Sequence, residues 1–327
     1  MASYIVRRLL GMIPTLFLIS VISFVLIQLP PGDIVESTIQ DLRQQGQHVS
    51  TERIAAIRAM YHLDDPMPVQ YVRWVSGFMR GDMGYSLVYQ QPVNQLISER
   101  LLLTVLVALG SVLFTWSLAL PIGIYSAVRQ YSLLDYTMTV FALLGMATPG
   151  FMLALLIMYG AHSWFGISVG GLFSPEFIDV PWSLARFVDL LKHIWAPMVV
   201  LGVAGTAGMI RIMRANLLDE LKKPYVVAAR AKGLRPVRLI IKYPLRIAIN
   251  PFISTIGWML PALFSGSAIV AVVMDLPTTG PLLLEALMSQ DMYLAGSFIL
   301  ILSTLTVIGT LISDLLLAVV DPRIRHE

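Results

Sequence analysis

Residues 214–236 read Arg-Ala-Asn-Leu-Leu-Asp-Glu-Leu-Lys-Lys-Pro-Tyr-Val-Val-Ala-Ala-Arg-Ala-Lys-Gly-Leu-Arg-Pro, and with the continuation to Pro251 they set a polar, basic segment between two hydrophobic stretches. Pro224 suits the first turn of a helix, where its missing N–H costs nothing. Gly233 suits the left-handed residue after a helix end, and Pro236 blocks continuation. A short helix is therefore expected from Pro224 to Lys232, about 13 Å long at 1.5 Å per residue. Tyr225, Ala228, Ala229 and Lys232 recur at i, i+3, i+4 and i+7. They are expected on one face, with two alanines where another protein can approach closely. A helix built for docking is the natural reading.

The composition around this segment is that of a membrane protein. With 57% hydrophobic and 13% charged residues, the chain cannot present an ordinary polar surface to water. Uncharged stretches run from Leu9 to Gly32, Leu101 to Val128, Tyr136 to Pro175, His193 to Ile210, Ile247 to Met274 and Met292 to Ser313. Each is near or beyond the ~20 residues a helix needs to cross the hydrocarbon core. Six transmembrane helices in an all-α polytopic protein are expected, the long third stretch holding one span and the start of the next loop. No barrel-type alternation of period two is present.

Lysine and arginine set the orientation. Arg7 and Arg8 precede the first span, Arg129 lies between the second and third, ten basic residues run from Arg211 to Arg246, and Arg323 and Arg325 follow the last. The positive-inside rule makes these segments cytoplasmic, both termini included. The intervening loops agree, since residues 275–291 carry Asp275, Glu285 and Asp291 with no basic residue. The expected organisation is a cytoplasmic N-terminus (1–8), a first span (9–29), an extracytoplasmic loop subdomain (30–100) and a five-helix core (101–327) with a cytoplasmic loop at 214–246. The basic balance reflects topology, so nucleic acid is not an expected partner, whereas membrane lipid is. The apolar run after Arg8 is longer than a signal-peptide core and lacks a small-x-small cleavage site, so an uncleaved span is expected.

Four motifs in order resemble one family, the inner-membrane permease subunits of ABC importers for dipeptides and oligopeptides. Val227, Ala228, Ala229, Gly233 and Leu245 match their "Glu-Ala-Ala" cytoplasmic loop, with Val227, Tyr243 and Arg246 departing from it. The stretch from Tyr61 to Tyr71, then Trp74 and Arg80-Gly81-Asp82-Met83-Gly84-Tyr85-Ser86, resembles the subunit type with a long first extracytoplasmic loop. Leu276 to Leu283 with Asp291 looks like the family's turn before the last span, and Asp314 with Asp321-Pro322-Arg323-Ile324 resembles its C-terminal signature.

The resemblance implies a type I ABC-importer architecture and a pore-forming, binding-protein-dependent permease in the bacterial inner membrane. It implies as partners a homologous second permease subunit, two ATPase subunits and an extracytoplasmic solute-binding protein. Tyr225, Ala228, Ala229, Arg230, Lys232 and Gly233 are then the residues that contact the ATPases. Peptides are the expected solute; oligosaccharides, opines and nickel are alternatives within the class.

No Gly-x-x-x-x-Gly-Lys-Ser/Thr phosphate loop occurs, so ATP and Mg belong to partner subunits and no catalytic residue or cofactor is expected here. The five histidines lack ligand spacing, and the 17 methionines suit adaptable packing. For the 30–100 loop, a cap that packs on the bundle and a surface for a binding protein stand equal. Gly145-Met146-Ala147-Thr148-Pro149-Gly150 breaks the third span, and Ser254, Gly257, Ser265 and Gly266 thin the fifth. Either these residues let helices touch, or Gly145, Thr148, Ser254, Gly257, Ser265 and Gly266 line a translocation path. A secondary transporter would need intramembrane acids or an inverted repeat, and neither is evident.

Overall fold

The computed structural model describes residues 2–28, 55, 58–59, 64–86, 88–178, 180–254, 268–289 and 291–320. Helices make up most of it: α1 (Ala2–Gln28), α2 (Met67–Met79), α3 (Val93–Val128), α4 (Leu133–Ala147), α5 (Gly150–Phe165), α6 (Leu184–His193), α7 (Trp195–Leu221), α8 (Pro224–Ala231), α9 (Pro236–Lys242), α10 (Pro244–Ala248), α11 (Ala268–Val273), α12 (Thr279–Met288) and α13 (Met292–Val320). A short antiparallel hairpin joins β1 (Tyr85–Ser86) to β2 (Gln91–Pro92), with Tyr85 opposite Pro92 and Ser86 opposite Gln91.

Among the described residues, α3, α7 and α13 are long and apolar enough to cross a bilayer, and α4 with α5 makes a fourth if the bent pair is one span. Among the described residues the expected six are not all seen. In α1 the apolar part, Leu10–Leu26, is shorter, and residues 255–267 of the expected fifth span lie outside the described residues.

The third expected span also differs in shape, because α4 and α5 meet at 103°. Pro149 has no N–H to continue a helix, and its ring disfavours the helical region for the residue before it. Thr148 is accordingly extended, with ψ of 120°. Its N–H and its hydroxyl both bond to the Leu144 carbonyl, at 3.1 and 2.8 Å, closing the last turn of α4 before the chain swings away.

The chain divides into two compact units, one of residues 104–277 with 1–5 and 308–327, the other of residues 6–103 with 278–307. In the first, α7 is the central helix, with α4, α5, α10 and α11 packed on it. Its Met213 and Leu217 are fully buried together with Ala119 and Phe252. Helix α3 comes close to α7 through glycines: a Cβ on Gly202 would stand 2.5 Å from Phe114, and one on Gly123 2.7 Å from Met213. The Thr115 hydroxyl donates to the Gly202 carbonyl across this contact at 3.0 Å. Lipid tails are as apolar as leucine, so such close contacts, with hydrogen bonds of about 0.6 kcal/mol, hold membrane helices together.

In the second unit, α2 lies against α1. Trp74 and Phe24 are buried with Leu300, Phe24 meets Tyr71 edge-on at 5.4 Å, and the Tyr71 hydroxyl sits 2.7 Å from Ser20 Oγ. A second core joins Val93 and Ile97 to Leu282, Ala286, Leu294 and Phe298. The hairpin is fastened there: the Ser86 hydroxyl donates to Asp291 at 2.5 Å, while the other Asp291 oxygen accepts the Leu294 N–H at 3.1 Å and caps α13. The described part of the 30–100 loop thus includes a helix that packs on the unit's other helices.

Candidate functional site

The basic segment follows directly from α7. Lys223 is extended, with ψ of 146°, and Pro224 opens α8. At the other end Gly233 has φ of +78° and its N–H bonds to the Arg230 carbonyl at 3.0 Å, the left-handed helix end that only glycine adopts without strain. Arg235 is extended again and Pro236 opens α9. Helix α8 ends at Ala231, one residue before the expected Lys232.

The loop has its own small core. Val226, Ala229 and Leu239 are buried, with Leu221, Leu234, Ile240 and Tyr243 packed around them. This divides the expected docking face. Tyr225, Ala228, Arg230, Lys232 and Gly233 are exposed, whereas Ala229 turns inward against α9 and offers nothing to a partner. The exposed side instead gains Val227, Val237 and Ile241, among Lys222, Lys223, Arg235 and Arg238, all exposed. The Tyr225 hydroxyl donates to the Glu220 carboxylate and pins that side chain along the end of α7. The exposed residues are basic and apolar in turn, which fits a protein partner that carries both carboxylates and apolar side chains.

The candidate path residues separate. Gly145 is a contact glycine, since a Cβ there would stand 2.7 Å from Val203 Cγ1 on α7. Thr148 spends its hydroxyl on the helix end described above, and Ser254 is exposed with its hydroxyl donating to the Asn250 carbonyl at 3.2 Å. Gly257, Ser265 and Gly266 lie outside the described residues, as do the histidines at 48, 62 and 326 and the C-terminal Asp321 motif.

One ion pair beside the loop, with a buried carboxylate and a half-buried arginine, was not singled out in the sequence. Asp135, at the start of α4, accepts from Arg214 of α7 at 3.2 Å. A lone acid opening an apolar run and an arginine within the end of another are each costly near lipid unless paired. That cost was the available signal, although it names no partner.

Comparison with known proteins shows the family. Residues 119–326 match the family described as "Binding-protein-dependent transport system inner membrane component", and residues 1–108 match its N-terminal component. The chain is 34% identical to the oligopeptide transport system permease protein AppB of Bacillus subtilis (strain 168), over 100% of both chains. It is 31% identical to the dipeptide transport system permease protein DppB of Escherichia coli (strain K12), again over 100% of both. It is 30% identical to the glutathione transport system permease protein GsiC of Salmonella paratyphi A, with the same full coverage. With spanning helices, a basic loop punctuated by Pro224, Gly233 and Pro236, and family matches over residues 1–108 and 119–326, the chain belongs to the inner-membrane components of binding-protein-dependent transport systems.

Proposed function

We propose that this chain is one of two homologous pore subunits of an ATP-driven importer of dipeptides and oligopeptides. The observation that carries the solute class is full-length similarity to permeases named for oligopeptide, dipeptide and glutathione transport. All three solute names describe peptides. An extracytoplasmic binding protein delivers the solute, and two ATPase subunits bind ATP and Mg. Both termini and the 214–246 loop face the cytoplasm, by the excess of lysine and arginine there. A cysteine replacing Ala215 should then escape an impermeant thiol reagent applied to intact cells, and one replacing Glu176 should react; the reverse pattern would invert this orientation.

The ATPases act on the exposed side of α8 and α9. The pore has states open to either side of the membrane, and a partner that binds the two states differently shifts their balance. Tyr225, Ala228, Arg230, Lys232 and Gly233 offer that contact, and Val226, Ala229 and Leu239 hold α8 rigidly enough on α9 for movement to reach α7. The path through the membrane involves Ser254, Gly257, Ser265 and Gly266, where small side chains leave room for solute.

The deciding experiment measures uptake of radiolabelled dipeptides and tripeptides in cells with the gene deleted and then restored. Loss and recovery of peptide uptake supports the proposal. Unchanged peptide uptake, with loss of nickel, opine or oligosaccharide uptake, would assign the chain to another solute.

A further inference from the structure

Helix α6 is inside out. Asp189, with Arg186 and His193 on the same side, faces the protein beside buried Leu190, while most of the apolar side chains face outward, the reverse of a helix that covers a water-soluble core. On the inner side Asp189 is buried, accepting the Ser174 N–H at 2.7 Å and the Ser174 hydroxyl at 2.8 Å. His193 Nδ1 lies 3.7 Å from the same carboxylate. The Arg186 guanidinium stacks 4.7 Å from the Phe173 ring and 5.0 Å from that of Trp182, and donates to the carbonyls of Ile178 and Val180. Ser183 caps the helix by accepting the Arg186 N–H at 3.2 Å. These bonds fix the rotation of the helix.

On the outer side Leu184, Phe187, Val188 and Leu191 recur at i, i+3, i+4 and i+7, and Trp195 continues the stripe one turn later. They are 80%, 43%, 43%, 54% and 46% exposed. Water would hydrate this stripe at a cost that rotation could remove, yet the buried polar contacts forbid rotation.

What covers the stripe follows from chain continuity. Helix α7, long and apolar enough to cross a membrane, starts at Trp195, with only Ile194 between it and the end of α6. No linker lifts α6 away from the bilayer surface. At about 15 Å the helix is too short to span and suits a position in the interface plane. Trp182 and Trp195 lie at its two ends, and tryptophan favours the headgroup level. Exposed Lys192 borders the stripe, where its stem can lie on apolar surface and its ammonium can reach lipid phosphate.

We propose that α6 lies in the membrane interface at the end of α7 opposite the basic loop, with Leu184, Phe187, Val188 and Leu191 among the outer ends of the acyl chains. The lipid surface is the partner, and α6 sets the depth of the α7 span. The proposal rests on membrane residence alone and holds whichever solute is carried.

The chain has no cysteine, so Leu191→Cys and Phe187→Cys each carry a single environment-sensitive fluorophore. The full chain, purified with the subunits that accompany it, is placed in phosphatidylethanolamine–phosphatidylglycerol vesicles containing a phospholipid with a shallow doxyl group. The expected result at both positions is blue-shifted emission and stronger loss of intensity to the doxyl lipid than to aqueous iodide. Stronger loss to iodide would overturn the proposal in favour of a water-exposed helix. Protection from both quenchers would overturn it in favour of a protein cover, such as the second pore subunit. Val188→Cys replaces either variant that fails to accumulate.

Discussion

Arg214 and Asp135 form an ion pair, Nη2 to Oδ2 at 3.2 Å, that ties the end of α7 nearest the basic loop to the start of α4. The Asp135 side chain is 4% exposed and the Arg214 side chain 32%. Asp135 also accepts the Tyr131 N–H at 3.0 Å, and its own N–H donates to the Ser132 hydroxyl at 3.2 Å. One carboxylate therefore fixes the turn before α4 and the helix that runs into the loop. Because α4 leads to the break at Thr148, the pair joins the loop's base to the bent helices by contiguous packing.

Removing one partner should cost more than removing both. Arg214→Ala strands a nearly buried carboxylate and should destabilise the purified chain by ~3 kcal/mol, the low end for buried pairs because the arginine is partly solvated. Asp135→Asn in that background should recover part of the loss. Thermal unfolding of the two single variants and the double variant measures the coupling; additive losses would show that the pair is not energetically linked.

Ala228 and Ala229 should behave differently although they are adjacent. Ala228→Glu places a charge on the exposed side of α8, so the chain should accumulate normally and lose its ATPase partners in co-purification. Ala229→Glu forces an unpaired charge into the core of Val226 and Leu239, a cost of several kcal/mol that should reduce the amount of chain in the membrane. Equal accumulation of the two variants would contradict the inward placement of Ala229.

Gly145→Leu should act through packing. Its side chain would meet Val203 already at the Cβ, 2.7 Å away, and overpacking of this kind costs about 1–3 kcal/mol. The yield of assembled complex should fall in parallel with uptake, and the ATPase rate per assembled complex should stay near normal. Normal yield with abolished uptake would instead place Gly145 in the solute path.

Asp189 predicts an acid limit. Burial pushes its pKa up, but the Ser174 N–H and hydroxyl bonds and the nearby positive charges of His193 and Lys192 outweigh this and hold it below its ordinary value. A native pKa below the unfolded one means that the ionised form stabilises the fold. The contribution is fully present above the unfolded value of about 3.9 and is lost as pH falls through the lower native value. The stability gap between the wild type and Asp189→Asn should close as pH falls below about 4. Thermal unfolding across that range measures it, and a gap independent of pH would assign the effect to packing.

The sequence by itself determined the membrane class, the position of the basic loop and the punctuation of α8. These depend on single residues and their near neighbours: apolar length against bilayer thickness, the missing N–H of Pro224 and Pro236, and the positive φ of Gly233. The break at Thr148-Pro149 was legible for the same reason, but its 103° angle was not. That angle depends on what α4 and α5 pack against. Only the tertiary structure decided which way each face turns. The spacing of Tyr225, Ala228, Ala229 and Lys232 defines a stripe, but Leu239 of the next helix draws Ala229 out of it. Asp135 finds Arg214 across 79 residues, and α6 turns its apolar stripe outward because Ser174, Ile178 and Val180 hold its polar one. Periodicity states that a helix has two faces; the partners that meet each face are fixed by distant parts of the chain, whose placement depends on packing rather than on local backbone preference.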